Sequence, residues 1–395
     1  MIKTLTRKSK RLIPFWRDIR VLKIVWQVIT VALVVAVAFW AINNYTRRGQ
    51  TFSFSFLSEE ANFDLAEGLE FHPSDAYARA FLVGLLNTVK VAVTGIVLAS
   101  ILGLLAGVAR LSGNWLVSRI ASVYIEVIRN TPLLVQLFFL YFAVILRLPR
   151  LSDALVLPGP AFVSNRGTVI PWPQVTGSFG IWSVFLAATV ISLIVMIVLR
   201  HSSMKRLGRP SFSALWMLPV LVIPPLLGWL VLPGNPIVID LPELITKSGG
   251  VLKVEGGVTL SSEFTALLLG LVIYTGAYIA EVVRAGIQAV APGQTEAARS
   301  QGFTRSQILR LIVLPQALRI IIPPLISQYL NLTKNSSLAI AIGFLDIYAV
   351  SQTMLNQSGR VVEVFLMIMA SYLSISLTIS FLMNIVNRRM QIVER

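Results

Sequence analysis

Between two apolar stretches the chain carries TEAARSQGFTRSQILRLIVLP, residues 295–315, with three arginines, a glutamate, two glutamines and a central glycine. That composition suits docking, because a short amphipathic hairpin offers charge, amide groups and an apolar stripe to a partner. Pro292 suits a helical first turn, and Gly302 can take positive φ and end the first helix. Thr304 with Gln307 three residues on predicts a capping box for a second helix. In that helix Ile308, Leu311, Ile312 and Pro315 recur at helical spacing, with Arg305 and Arg310 off the stripe. Charge also falls inside apolar runs: Lys90 beside Asn87 and Thr88, and Lys334 among Asn331, Asn335, Ser336 and Ser337. Buried charge in a membrane is functional by default, although lysine can also snorkel and Ser, Thr and Asn can glue helices together. Glu126 with Arg129 and Glu281 with Arg284 form i,i+3 pairs near span ends, read first as structural pairs and second as a gate.

Bond-breaking chemistry is not expected. The chain contains no G-x-x-x-x-G-K-[ST] phosphate loop, no H-E-x-x-H and no G-x-S-x-G, so no catalytic residue is assigned. His72 and His201 stand alone in loops and there is no cysteine, so no metal site is expected either.

The elements that must position these residues are membrane helices. At 55% hydrophobic, 13% charged and mean hydropathy +0.76, the chain is far from the roughly 25% charged of a soluble domain. Apolar runs of about 20 residues predict eight spans, at 24–42, 81–109, 122–146, 180–199, 214–232, 264–283, 320–345 and 364–386. The second and seventh are long, so tilt, a bend at Pro324 or an interfacial turn must absorb the excess. The fold class expected is an all-α integral membrane protein of about eight spans with extended outer loops.

The net charge of +16 is orientation rather than nucleic-acid binding. The tail before the first span has eight basic residues and one acid, which places the N-terminus in the cytoplasm. With eight spans the C-terminus is cytoplasmic too, and most basic residues then fall on that side while the outer loops are richer in acid. The first span, about 19 apolar residues, exceeds a signal-peptide core and reads as a retained anchor. The outer loops around 147–178 and 232–262 are rich in Pro, Gly and β-branched residues, which predicts short strands there.

On composition alone residues 295–315 could lie on anionic lipid or be a solvated connector. Their spacing resembles something more specific. Glu296-Ala297-Ala298, Gly302, Ile312 and Leu314-Pro315 reproduce the pattern Glu-Ala-Ala-x3-Gly-x9-Ile-x-Leu-Pro found in the cytoplasmic loop of ATP-binding-cassette (ABC) importer permeases. YIEVIRNTPLLVQLFFLYF from Tyr124, GAYIAEVVRAGIQAVAPGQTEAA from Gly276 and LPQALRIIIPPLISQYLNLTKNSSLA from Leu314 are similar to the permeases of polar amino-acid ABC importers, the histidine/glutamine permease-like family. The longer layout, with Asn130 where small members have glycine, most resembles the general L-amino acid branch. Gln301 departs from the leucine common before the loop glycine.

The resemblance implies a type I permease core and a division of the chain into four parts. These are 1–79 (tail, anchor and acidic outer loop), 80–147 (core), 148–262 (an inserted pair of spans with outer loops) and 263–395 (core, with the coupling loop at 289–318). It implies that the loop docks on separate ATPase subunits, two per complex, which bind ATP and Mg, since this chain needs no cofactor of its own. A homologous second permease in a heterodimer and a periplasmic amino-acid binding protein complete the expected partners, with the inner-membrane bilayer around them and no nucleic acid. The function implied is import of L-amino acids of broad range, with another small polar solute or a passive channel or scaffold as alternatives. A zwitterionic substrate requires compensating groups in a low-dielectric path, and Lys334, Asn331, Asn335, Ser336, Ser337, Lys90 and Asn87 are the candidates.

Overall fold

A run of apolar residues long enough to cross lipid must satisfy its backbone internally, so it folds as helix. The computed structural model describes residues 19–47, 52–207, 211–246 and 252–390; the basic tail before residue 19 lies outside them. Its principal helices are α1 (Ile19–Arg47), α2 (Tyr77–Arg110), α3 (Trp115–Arg129), α4 (Leu133–Phe138), α5 (Phe179–Leu207), α6 (Met217–Val231), α7 (Ser262–Gln288), α8 (Pro292–Ser300), α9 (Arg305–Ile308), α10 (Leu314–Asn335), α11 (Ile347–Ser358) and α12 (Val361–Met390). Among the described residues five helical runs are long and apolar enough to cross a membrane, and six if one bent pair counts as a single span. The apolar part of α1, Val21–Val37, and α6 are shorter.

That bent pair corrects one expectation. Residues 122–146 do not form a straight span: α3 and the helical run Leu133–Arg147 meet at 106°. The cause is local. Asn130 caps α3 and Pro132 follows Thr131, and the residue before a proline is driven out of the helical region. The Gln136 amide then donates to the carbonyls of Ile128 (2.9 Å) and Thr131 (3.0 Å), so the bend leaves those acceptors satisfied.

The all-α expectation is corrected as well, since among the described residues eight short strands form three small antiparallel sheets. The largest has the order β1 (Leu155–Leu157), β2 (Ala161–Ser164), β3 (Gly167–Ile170), β8 (Val258–Ser261). Strand β4 (Trp172–Val175) pairs with β5 (Ile237–Asp240), and β6 (Glu243–Thr246) with β7 (Leu252–Glu255). These strands lie where the composition predicts them. β8 runs directly into α7, with Ser261 as the helix cap, so the sheets sit at the N-terminal end of α7 and the hairpin at its C-terminal end.

The core is built around α2 and α7, whose backbones approach closely because both present glycine at the contact. A Cβ on Gly103 would stand 2.5 Å from the Ile279 side chain, and one on Gly107 would stand 2.7 Å from the Ala280 carbonyl. Such small-xxx-small contacts hold helices together where lipid removes the hydrophobic drive. Leu137, Phe264, Leu267, Leu271, Ile279, Leu332 and Phe344 fill the interior around them. A second cluster packs the segment after residue 52, through Phe56, Leu65 and Phe71, against the first turns of α2 and against α11 and α12. Helices α5 and α6 pack on each other, with Gly228 beneath the Phe185 and Trp182 rings and the Trp182 indole N–H donating to the Pro225 carbonyl at 2.9 Å.

The seventh run extends from Arg305 to Ile342. Pro323 and Pro324 lie inside α10 without interrupting it, and the chain tightens to a 3-10 turn over Ser336–Ile342 before Gly343 takes φ +84. The helix stays wound through Lys334, and the expected bend at Pro324 does not break it; the excess length is absorbed at the two ends of the run.

Candidate functional site: hairpin, ion hub and polar cleft

The hairpin forms as its residues dictate. Pro292 opens α8, where its missing N–H costs nothing. At the other end Gly302 has φ +84, its N–H donates to the Arg299 carbonyl (2.9 Å), and the Phe303 N–H reaches back to Ala298 (3.1 Å); this is a Schellman closure. Thr304 and Gln307 make the reciprocal capping box. Ala298 is buried, while Glu296, Ala297 and Gly302 face outward.

Beyond the cap the expected stripe is broken. A π turn over Leu309–Val313 precedes Pro315, which has no N–H to give and whose ring crowds the carbonyl a turn before it. The extra residue rotates the chain, so Ile308 is buried, Ile312 and Pro315 are half-buried, and Leu311 turns outward at 59% exposure. Leu314 is exposed too.

Just above the hairpin, Glu281 on α7 gathers three arginines from three helices. Arg110, the last residue of α2, donates to its Oε2 at 2.7 Å; Arg284, one turn on, donates to the same oxygen at 3.1 Å; and Arg129 of α3 stands 3.9 Å away. Arg284 also meets the Gln288 side chain. The predicted Glu281–Arg284 pair is present. Glu126 turns instead toward Arg110, at 3.5 Å, and Arg129 lies over the Tyr278 ring, 5.3 Å from its centre. Arg110 is the member that sequence reading misses, since i,i+3 spacing reveals pairs only within one helix.

One turn further along α7 lies a cleft of about 250 Å³ lined by Tyr274, Thr275 and Tyr278 and, from α10, Gln328, Asn331 and Asn335. The two tyrosine hydroxyls are 3.3 Å apart. Asn331 and Asn335 are thus brought together, with partners the sequence reading does not name. The i,i+4 tyrosines, continuing toward Glu281, are the signal that could have found them. Lys334 adjoins the cleft on its own helix and is exposed. Ser336 is buried and donates to the Thr333 carbonyl, and Ser337 donates to the Lys334 carbonyl, each at 2.8 Å.

Lys90 and Asn87 stand elsewhere. Lys90 Nζ is 3.4 Å from Glu67 and 4.3 Å from the centre of the Phe264 ring. Asn87 is buried and donates to the carbonyls of Glu67 (3.1 Å) and Leu345 (2.9 Å). With Thr88, whose hydroxyl accepts the Ile347 N–H at 2.9 Å, it fastens α2 to the turn before α11. Among the described residues no group of three His or acidic side chains could hold a metal ion.

That turn holds a buried acid that sequence reading also misses. Asp346 caps α11, accepting the Ala349 N–H (2.9 Å) and the Tyr372 hydroxyl (3.2 Å). It lies outside the candidate spans. Burial pushes its carboxyl up to about 6 from 3.8, against the opposing pull of these hydrogen bonds. With its pKa raised, this carboxyl binds its proton more tightly in the folded chain than in the unfolded one, so the group adds stability as pH falls from 7 through 6 toward 4. The gain is at most about 3 kcal/mol. We expect the melting temperature of the purified protein to rise between pH 7.5 and 5, and Asp346→Asn to remove part of that rise. An unchanged profile in the variant would show that Asp346 is not the titrating group.

Residues 191–392 match the family described as the inner-membrane component of binding-protein-dependent transport systems. Three relatives align over nearly the whole chain. The amino-acid ABC transporter permease protein YhdX of Escherichia coli (strain K12) is 44% identical, covering 94% of each chain. The general L-amino acid transport system permease protein AapQ of Rhizobium johnstonii is 42% identical, covering 94% of this chain and 93% of its own. The glutamate/glutamine/aspartate/asparagine transport system permease protein BztB of Rhodobacter capsulatus is 38% identical, covering 96% of each. A capped polar hairpin, an ionic hub above it and a polar cleft above that thus sit in a chain that belongs to the amino-acid ABC transporter permeases, the non-catalytic multi-pass inner-membrane components of binding-protein-dependent importers.

Proposed function

We propose that this permease carries L-amino acids of broad range along the α7–α10 cleft, drawing energy through the hairpin from two copies of an ATPase subunit that binds ATP and Mg. The observation that supports this most is that cleft and hub follow one another on α7, with Tyr274 and Tyr278 then Glu281 and Arg284, and that the hairpin begins at Pro292, separated from the end of that helix by only three residues. Movement of the hairpin is then movement of α7, and the groups that face substrate and close the path move with it. The cleft offers hydroxyls and amides that can take either end of a zwitterion, with Lys334 beside it for a carboxylate.

The wider arrangement follows from charge and from family. Positive-inside places the hairpin face, the basic tail and both termini in the cytoplasm, and the sheets on the periplasmic side where a binding protein delivers substrate. Eight crossings, with α1 and α6 completing the count, give that parity. A homologous second permease forms a heterodimer with this one, and 148–262 is an insertion into a core made of 80–147 and 263–395. ATP shifts the bundle between inward- and outward-open states only by as much as it binds the two states differently.

The test is retention of the co-expressed ATPase and second permease by this chain in a pull-down, followed by transport in lipid vesicles. We expect both proteins to be retained. In the same assembly, Asn331→Ala should lower uptake about tenfold while leaving the ATPase bound, since a lost hydrogen bond to a charged group is worth about 1.5 kcal/mol. A wild-type chain that retains no ATPase would return the protein to the class of passive pores. The absence of native cysteine lets single introduced cysteines report the sidedness of each loop.

A further inference from the structure

The inserted segment holds a second polar cleft, of about 220 Å³, on the sheet face. Leu151, Ser164, Arg166, Gly167, Lys253 and Thr259 are among its lining residues. Two cations line it and no carboxylate does. Among the described residues neither Arg166 nor Lys253 forms an ion pair, and both are exposed. Glu255, two residues along the strand from Lys253, and its cross-strand neighbour Glu243 lie outside the lining. Unpaired cations converging on one cleft attract an anion.

The position of Arg166 is fixed by its backbone. It is the second residue of a two-residue turn joining β2 to β3, with Ser164 opposite Gly167. Gly167 has φ +122, and a Cβ there would meet the Leu260 carbonyl at 2.1 Å, so glycine is required. The Ser164 hydroxyl, itself buried, accepts the Arg166 N–H and donates to the Gly167 carbonyl, each at 3.3 Å. A turn held in this way presents its guanidinium without the ordering cost that a mobile loop would carry.

The turn is also joined to the transport core. Gly167 lies opposite Ser261 and Thr168 opposite Leu260 in the β3–β8 ladder, and Ser261 is the cap of α7. Three consecutive steps therefore lead from the cleft through one strand pair to the helix that carries the tyrosines and Glu281.

We propose that the Arg166–Lys253 cleft is a socket for a carboxylate side chain on the periplasmic binding protein, and that docking there is felt by α7 through β8. This rests on the importer reading above, which places the sheets on the side where that protein arrives. The same carboxylate chemistry is present on a free amino acid, so the experiment must separate the two sources.

The assembled importer in lipid vesicles is assayed for ATP hydrolysis against binding-protein concentration, with wild type beside Arg166→Gln, Lys253→Gln and the double Arg166→Glu/Lys253→Glu. Exposed side chains make these substitutions compatible with folding, which assembly and melting temperature check. We expect the half-saturating binding-protein concentration to rise about tenfold in the double variant and its salt dependence to reverse, since salt then screens a repulsion. Unstimulated hydrolysis and the rate at saturation should hold, and a charge-reversed acid on the binding protein should restore affinity. An unchanged half-saturating concentration, with stimulated wild type, overturns the socket alone. A shift only in the amino-acid concentration required, at saturating binding protein, assigns the carboxylate to substrate and overturns it as well. If binding protein fails to stimulate even the wild type, the importer reading falls and the socket with it.

Discussion

Gly302→Pro is expected to abolish binding-protein-stimulated ATP hydrolysis and uptake, a fall of about 100-fold or more. Gly302 sits at φ +84, whereas proline is locked near −65°, so the backbone cannot keep its path. The substitution also deletes the N–H that closes α8 onto the Arg299 carbonyl. Together these cost about 3 kcal/mol or more, equivalent to roughly 100-fold in any equilibrium that requires this hairpin geometry. Gly302→Ala separates backbone from contact. No atom lies within 4 Å of the added methyl, so the cost is the left-handed conformation alone, about 1 kcal/mol, and coupling should fall about fivefold. Gly302→Asn should lie between wild type and alanine, because asparagine tolerates positive φ. Rates are read on the vesicle-embedded complex with ATPase retention measured in parallel. Stimulation by Gly302→Pro within twofold of wild type would show that energy does not pass through this turn.

The graded series matters because the hairpin alone does not explain transport. In the proposed mechanism its displacement must reach the cleft, and α7 gives the route: Val283 and Ile279 are buried against the core, while Glu281 projects from the opposite side to the hub and Tyr278 lines the cleft. The proposed movement treats this helix as a lever, which suits the close contacts at Gly103 and Gly107 that seat it against α2. Packed interfaces of that kind respond to force by shifting as units rather than by deforming.

What was legible in the sequence follows the range of the forces involved. Local rules suffice for the hairpin: Pro292, Gly302, Thr304 and Gln307 each act within one turn of the chain, and each behaves as its chemistry requires. Apolar run length suffices for the long helices as well. It fails at 122–146, where the average hydropathy conceals the break that Thr131-Pro132 makes, and it fails at Leu311, where a π turn ahead of Pro315 shifts the phase. The hub and cleft depend on contacts between helices, which spacing does not report. Arg110 meets Glu281 across 171 residues, and Asn87 spends its amide on two backbone carbonyls that no local pattern links to it. Asp346 reads as an ordinary loop acid until α12 brings Tyr372 beside it.

Removing Glu281 should therefore do more damage than removing any arginine around it. In Arg284→Ala or Arg129→Ala the carboxylate keeps its 2.7 Å contact with Arg110, and in Arg110→Ala it keeps both Arg284 and Arg129. Each single arginine change should cost about 1 kcal/mol, as partly exposed pairs do. Glu281→Ala instead leaves three guanidiniums facing one another, with Glu126 as their nearest acid, 63% exposed and 3.5 Å from Arg110. The loss of three partly exposed pairs at about 1 kcal/mol each comes to about 3 kcal/mol, and mutual repulsion of the arginines pushes α2, α3 and α7 apart at this end. The expected results are a lower melting temperature than any of the arginine variants and a raised unstimulated ATPase rate, because the tie that holds the hairpin-side ends of three helices together is gone. Glu281→Gln, which keeps one acceptor oxygen but no charge, should lie between. Equal destabilisation by Glu281→Ala and Arg284→Ala would reduce the hub to a simple pair within α7. An unstimulated rate that stays at the wild-type level would leave Glu281 a structural residue with no part in closing the path.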